Sequence, residues 1–300
     1  MITVKVPATS ANIGAGFDSC GLALGLYNTV HMEEADGVSI RTSDGTRVPT
    51  DERNLVYAAA KRVYDECGRP LRGLSLVQEN AIPMARGLGS SSACIAAGVL
   101  GANALLGGVL SDADVLDLAT KIEGHPDNVA PALLGGFVVS AYDAGRVWSL
   151  RHDIGPGIVF AAFIPNFRLL TKKARAVLPR TVAHRDAVYN LSRAALLAVA
   201  FCEERYDFLP VATKDCLHQP YRMPLIPGGQ EVCALARELG ALAAFISGAG
   251  PTILAVVDSA DTSFFARASE TLAGTQAMRA FTLHRLAADN QGAAVTAARA

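Results

Sequence analysis

The chain is 300 residues long, 51% hydrophobic and 18% charged, enough apolar material for a large core, which points to two folded domains and excludes disorder. Its 27 basic and 28 acidic residues nearly cancel, so no global field recruits nucleic acid or anionic lipid, and an anionic ligand has to be held locally. The six cysteines (Cys20, Cys67, Cys94, Cys202, Cys216, Cys233) show no Cys-x-x-Cys pair and no metal-ligand spacing, and read as buried, reduced thiols of a cytoplasmic protein.

Residues 2–6 alternate as a first strand, which Pro7 is expected to end by opening a polar loop over residues 8–18. Strands at 22–34 and 38–42, a helix at 54–67 and a strand at 74–78 follow. The window from Gly87 to Ser111 is uncharged for 25 residues, long enough to cross a bilayer, yet its serines, glycines and Asn103 suit a helix buried in a globular core better. The first seven residues lack the charged and apolar regions of a signal peptide, so neither export nor membrane insertion is expected. Helix 91–106 ends on Gly107-Gly108, and a second helix opens on Ser111-Asp112-Ala113-Asp114 and runs to Glu123. Strands at 136–141 and 147–150 close a first domain over residues 1–153. The second, residues 154–300, starts with an apolar strand at 158–164. It continues with helices at 185–205, 230–239 and 262–273 and strands at 243–247, 252–257 and 278–284, and ends in an Ala-rich tail expected to fray. Mixed helices and strands in both halves predict a two-domain α+β fold with a cleft between the halves.

The run Pro83-Met84-Ala85-Arg86-Gly87-Leu88-Gly89-Ser90-Ser91-Ser92-Ala93 leads into the apolar helix. Gly87 and Gly89 let the backbone turn tightly and approach a ligand, and the first N–H groups of the helix face whatever lies ahead of it. Anions are favoured there, and three hydroxyls add donors or ligands for a hard cation. The loop is not a Walker A motif, since no lysine occurs between Lys61 and Lys121. Nor is it a dinucleotide fingerprint, because Ser92 stands where a third glycine is needed. Taken alone it serves as either a phosphate site or a serine N-cap after a flexible turn.

Three further loops, at residues 7–18, 123–128 and 247–251, concentrate small and polar residues. Each also has a plain reading: Asn12 and Asp18 as turn residues, Glu123 as a solvated helix-end carboxylate, Asp127-Asn128 as a cap for a helix at 129–134. Together the four loops resemble the GHMP kinases. Pro83 to Ala93 matches that family's Pro-x-x-x-Gly-Leu-Gly-Ser-Ser-Ser/Ala-Ala loop, and Ser247-Gly248-Ala249-Gly250-Pro251 its C-terminal glycine loop. Val6-Pro7-Ala8-Thr9-Ser10-Ala11-Asn12-Ile13-Gly14-Ala15-Gly16-Phe17-Asp18 and Glu123-Gly124-His125-Pro126-Asp127-Asn128 are similar to the homoserine kinase branch, with further family-like runs at 170–179 and 218–222.

The resemblance implies an N-terminal ribosomal protein S5 domain 2-like ATP-binding domain and a C-terminal ferredoxin-like α/β sandwich. It implies ATP-dependent phosphorylation of the side-chain hydroxyl of L-homoserine, serving threonine biosynthesis, by a cytoplasmic homodimer. ATP would be held by residues 83–93 and Mg²⁺ by Ser91 and Glu123. Asp18 is assigned to the substrate ammonium, Arg175 and Arg222 to its carboxylate, Asn12 and His125 with Asn128 to the neighbourhood of its hydroxyl, and Gly248 to substrate binding. Asp127, with His125 and Asn128, forms the catalytic group; whether Asp127 takes a proton stays open, because ground-state deprotonation of an alcohol by a carboxylate of reference pKa about 3.9 is very unfavourable whereas late transfer during phosphoryl transfer is allowed. Ala15 and Cys20 depart from the family's usual proline and aliphatic residue, Ala15 leaving its loop less rigid. The alternatives are another small-molecule kinase of the family, acting on mevalonate or a sugar, and a non-catalytic ligand-binding regulator on the same fold.

Overall fold

The computed structural model describes residues 1–297. β1 (Ile2–Asn12) and β2 (Gly16–Glu34) form a long antiparallel hairpin. Pro7 does not end β1. The register shifts between Pro7 and Ala8, and such a bulge accommodates a residue without an N–H, so the strand carries on to Asn12 and delivers it to the cleft. β3 (Gly37–Thr42), α1 (Leu55–Glu66) and β4 (Gly73–Asn80) make a crossover that leaves β3 and β4 parallel. α1 begins where Asn54 Oδ1 accepts from the Val56 and Tyr57 amides.

α2 (Ser90–Leu105) is the uncharged helix, buried along most of its length. It packs close against α1 because Gly98 has no side chain; a Cβ there would lie 2.4 Å from the Val56 carbonyl oxygen. Its N-cap is Gly89, in the left-handed region, rather than a serine, which leaves all three hydroxyls free for other work. α3 (Asp112–Glu123) opens on a Ser111–Asp114 capping box and stops at Gly124, placing Glu123 beside the start of α2. α4 (Pro126–Leu134) starts earlier than the sequence suggested: His125 is the N-cap, and Asp127 and Asn128 sit inside the first turn instead of capping it. β5 (Phe137–Asp143) pairs with the early part of β2, and β6 (Arg146–His152) pairs with β5.

The second half begins with β7 (Ile158–Pro165), followed by α5 (Thr171–Ala176), α6 (His184–Cys202), α7 (Leu209–Ala212), α8 (Gln219–Arg222) and α9 (Gly229–Glu238). β8 (Ala243–Ile246), β9 (Ile253–Asp258), α10 (Phe264–Gly274) and β10 (Phe281–Leu286) complete it. The sheet order β10-β7-β9-β8, antiparallel throughout, is the ferredoxin-like arrangement, with α5 to α8 added between its first strand, β7, and its first helix, α9. Both faces of this sheet are covered. Phe160, Ala162, Phe245, Leu254 and Val256 join the core shared with the first sheet, while Ala161, Phe163, Ile246, Ile253 and Ala255 pack with α9 and α10. That is why residues 158–164 read as an unbroken apolar run rather than an alternating one.

Two expectations change here. The segment read as a fraying tail contains β11 (Ala294–Ala297), which returns to the first sheet and pairs antiparallel with β1, giving the order β11-β1-β2-β4-β3. Polar and alanine-rich, it carries little strand signal of its own and takes its conformation from the exposed edge of β1. Among the cysteines, all unpaired, Cys202 is exposed and only Cys20 and Cys233 are fully buried. Among the described residues no helix is long and apolar enough to cross a membrane.

Candidate active site

The four loops meet in one cleft. Of the residues selected from the sequence, all line it except Pro83, Met84, Leu88 and Ala93. Leu88 and Ala93 turn fully buried side chains into the core, and the Ala93 amide is spent on the first helical bond, to the Gly89 carbonyl at 2.8 Å. Pro83 lines a neighbouring groove between Leu26 and Ile164. The surface that the motif offers to the cleft is therefore narrower than its eleven residues. It comprises the Gly87–Gly89 turn and the N–H groups of Ser90, Ser91 and Ser92, which precede any helical acceptor.

Glycine is required at both turn positions. Gly87 has φ +76°, and a Cβ would lie 2.4 Å from the Ser247 carbonyl; Gly89 has φ +69°, and a Cβ would lie 1.9 Å from Thr9 Oγ1. The loop is tied to the second half of the chain on several sides. Ser247 Oγ donates to the Gly87 carbonyl (2.6 Å), the Leu169 amide to Ala85, and the Thr252 amide to Arg86. Arg86 spends its guanidinium on the Met84, Pro165 and Asn166 carbonyls, so it fastens the loop to the end of β7.

At the start of α2 the Ser91 and Ser92 hydroxyls donate to the two oxygens of Glu123, at 3.1 and 2.8 Å. The result is one carboxylate and two hydroxyls, all oxygen, beside three free amides. Among the described residues no cluster of three His, Cys, Asp or Glu side chains exists to cage a metal. That donor set fits Mg²⁺, which keeps most of its ligands as water and substrate phosphate and takes few from protein. Ser92, a neighbour of the Ser91 assigned to the metal from the sequence, lies closer to Glu123, at 2.8 Å against 3.1 Å.

The β1–β2 hairpin brings Asn12 and Asp18 in from the opposite side. It is strained: Asn12, Ile13 and Asp18 all have positive φ, and a buried β-branched residue at φ +47° needs support from its surroundings. That support comes from the second half of the chain. His218 Nε2 donates to the Gly14 carbonyl (2.8 Å), Asn190 Nδ2 to the Ala15 carbonyl (2.8 Å), and Asn12 Nδ2 to the Gly248 carbonyl (2.7 Å). The Asn190 bond secures the carbonyl of Ala15, the position where the sequence suggested a looser loop.

Asp18 is not free. Arg175 holds both its oxygens, at 2.7 and 3.0 Å, a forked pair between groups that are each about one-third exposed. The hydrogen bond to Asp18 raises the Arg175 pKa against the opposing effect of burial. Arg222 is 1% exposed and has no carboxylate within 4 Å among the described residues. Its Nε donates to Ala174, and its Nη1 to the Gly248 carbonyl and His218 Nδ1. Burial, then the Arg175 charge, lower its pKa. His218 is fully buried with Nε2–H directed at Gly14, so it is neutral, accepts from Arg222 at Nδ1, and stacks on Phe17 with ring centres 5.0 Å apart. Burial drives its pKa down. His218 and Phe17 belong to runs noted in the sequence but received no role there, because a lone aromatic or histidine has no local signature of support.

Asp127, 2% exposed, accepts from His125 Nδ1 in a short hydrogen bond and from Asn128 Nδ2 at 3.4 Å. Burial works to lower the His125 pKa, but the bond and charge of Asp127 outweigh it, so the ring's pKa lies above the ordinary histidine value. Thr9 Oγ1 donates to Asn128 Oδ1 at 2.8 Å. The cleft thus has an anion-binding end at α2, a charged end at Asp18, Arg175 and Arg222, and the His125–Asp127–Asn128 group between them.

Comparison with known proteins accords with this layout. The family models for the GHMP kinases' N-terminal and C-terminal domains match residues 54–136 and 197–270. A homoserine kinase from Clostridium beijerinckii is 47% identical over 91% of this chain and 91% of its own length. One from Caldicellulosiruptor saccharolyticus is 46% identical over 98% and 96%. The solved homoserine kinase of Cytophaga hutchinsonii, 30% identical, superimposes with a TM-score of 0.85 over 98% of this chain and 97% of that one. A mevalonate kinase from L. major shares the fold, with a TM-score of 0.71 over 96% of each chain, at only 14% identity. The chain belongs to the GHMP kinase family, in its homoserine kinase branch.

Proposed function

We propose that the chain transfers the γ-phosphoryl group of ATP to the side-chain hydroxyl of L-homoserine, giving O-phospho-L-homoserine for threonine biosynthesis. One observation carries the choice of substrate. An anionic carboxylate, Asp18, and two guanidiniums, Arg175 and Arg222, share the end of a cleft whose other end is the amide-lined start of α2. A zwitterionic amino acid satisfies both charges, whereas the carboxylate of mevalonate, which has no ammonium, would draw Arg175 from Asp18 and give Asp18 no partner in return. The ligand exchanges with the existing Asp18–Arg175 pair, its ammonium going to Asp18 and its carboxylate to the arginine forks.

Phosphoryl transfer through a loose transition state asks a protein mainly for alignment and charge stabilisation. The Ser90–Ser92 amides and the Gly87–Gly89 turn hold the phosphates. Ser91, Ser92 and Glu123 hold Mg²⁺, which when bound neutralises charge on the triphosphate. Asp127 fixes His125 and Asn128 against the reacting hydroxyl. The proposal includes the cytoplasm as the site of action, and a homodimer, for which exposed Trp148, Leu150, Leu191 and Val199 provide apolar surface.

The test is ADP release by purified protein with MgATP and a panel of L-homoserine, mevalonate, galactose and shikimate. Homoserine should stimulate turnover well above the others. Preference for mevalonate or galactose selects another kinase of the family; ATP binding with no turnover on any alcohol selects a regulator.

A further inference from the structure

We infer that Thr9 is a positioning residue that fixes the direction of the Asn128 amide, so that Asn128 presents an N–H donor, and never its carbonyl, to the reacting hydroxyl. The inference rests on the placement of Asn128 against the substrate hydroxyl proposed above. An asparagine side chain has two faces, an acceptor oxygen and a donor nitrogen, and its neighbours decide which one meets the ligand. On one side of Asn128 lies Asp127, whose Oδ1 is 3.4 Å from Nδ2; a carboxylate accepts only, so the amino group turns toward it. On the other side lies the Thr9 hydroxyl, 2.8 Å from Oδ1, able to donate its single proton there. The two neighbours agree, and the oxygen is held away by Thr9.

Thr9 is itself immobile. It is fully buried, its amide donates to the Leu88 carbonyl at 3.2 Å, and its Oγ1 occupies the space that a Cβ on Gly89 would take. The same hydroxyl therefore abuts the phosphate turn and orients the residue facing the acceptor alcohol, which sets the two reacting ends in register. The chemical consequence is definite. The substrate oxygen accepts from Asn128, which holds a lone pair in place, and Asn128 takes no part in removing the proton. That proton leaves for an oxygen of the transferring phosphoryl group or for Asp127 as the new P–O bond forms and the bond to ADP breaks.

The experiment is a double-mutant cycle. Thr9→Val keeps shape and β-branching but removes the donor, and Thr9→Ser keeps the donor. Steady-state kinetics are measured for the wild type, Thr9→Val, Thr9→Ser, Asn128→Ala and Thr9→Val/Asn128→Ala, with thermal denaturation of each. The expectation is a fall in kcat of about tenfold for Thr9→Val, the scale of one hydrogen bond, with KM for ATP unchanged and Thr9→Ser recovering most of the loss. In the Asn128→Ala background, Thr9→Val should have no further effect on kcat. An equal tenfold loss in both backgrounds, or a rise in KM for ATP with kcat preserved, overturns the inference in favour of a role confined to packing the phosphate turn. If Asn128→Ala leaves kcat with homoserine intact, the placement of Asn128 itself is wrong, and that outcome is separate from a failure of Thr9.

Discussion

Replacing Asp127 by asparagine separates two roles for the buried carboxylate. The side chain is 2% exposed and its Oδ1 receives the His125 and Asn128 donors, so its charge is committed to holding them. Asparagine keeps the shape and an acceptor oxygen for His125 but removes the charge. A hydrogen bond to a charged partner contributes about 1.5–3 kcal/mol, so the loss of positioning predicts a fall in kcat of about 10- to 100-fold. Deleting an obligatory base reaches about 10²- to 10⁴-fold. A second readout follows from His125, whose pKa in the native protein lies above the ordinary value. A group raised on folding stabilises the native state fully below its unfolded pKa, about 6.5, and loses that contribution as pH rises through the folded value. In Asp127→Asn, burial acts unopposed by Asp127 and the sign reverses, so protonating His125 costs stability. Steady-state kinetics with homoserine and thermal melts from pH 6 to 9 measure both effects. The gap in Tm between wild type and variant should widen as pH falls. Unchanged turnover removes Asp127 from the mechanism, and a gap independent of pH refutes the coupling to His125.

Gly87→Ala should cost about 2–5 kcal/mol, from left-handed strain plus a Cβ forced against the Ser247 and Gly250 carbonyls, and should raise KM for ATP. Gly45→Ala, at φ +74° with nothing within 4 Å, meets only the strain, about 1–2 kcal/mol, so thermal denaturation of the two separates conformation from crowding. Glu123→Gln should raise the Mg²⁺ concentration for half-maximal rate about tenfold or more in a metal titration at saturating ATP. Arg222→Lys loses the fork that reaches Ala174, Gly248 and His218, and should raise KM for homoserine about 10-fold or more while KM for ATP stays within about twofold.

The glycines of the loop before α2 were legible because their conformation demands them. Gly87 and Gly89 occupy positions where a Cβ collides, and three serines before an uncharged helix leave a local pattern that marks the loop, although its role emerged only beside the other three loops. Most helices and strands were legible for the same reason, since period and capping are local. What escaped depends on partners far away in sequence. Asp18 and Arg175 are 157 residues apart, and neither shows by itself that it neutralises the other. Thr9 and His218 act on residues distant in sequence, Thr9 on Asn128 and His218 on Gly14 and Arg222, and Arg86 fastens the loop to β7 through backbone carbonyls. Pro7 misled because a bulge absorbs its missing donor, and β11 because the edge of β1, not its own composition, makes it a strand.

The central claim is tested most directly by the product. Phosphorus NMR of a reaction containing the protein, MgATP and L-homoserine should show one new phosphomonoester signal, split by the two protons of the side-chain terminal carbon, growing in step with ADP. ADP accompanied only by inorganic phosphate, or phosphate appearing on any atom of homoserine other than the side-chain oxygen, would contradict it.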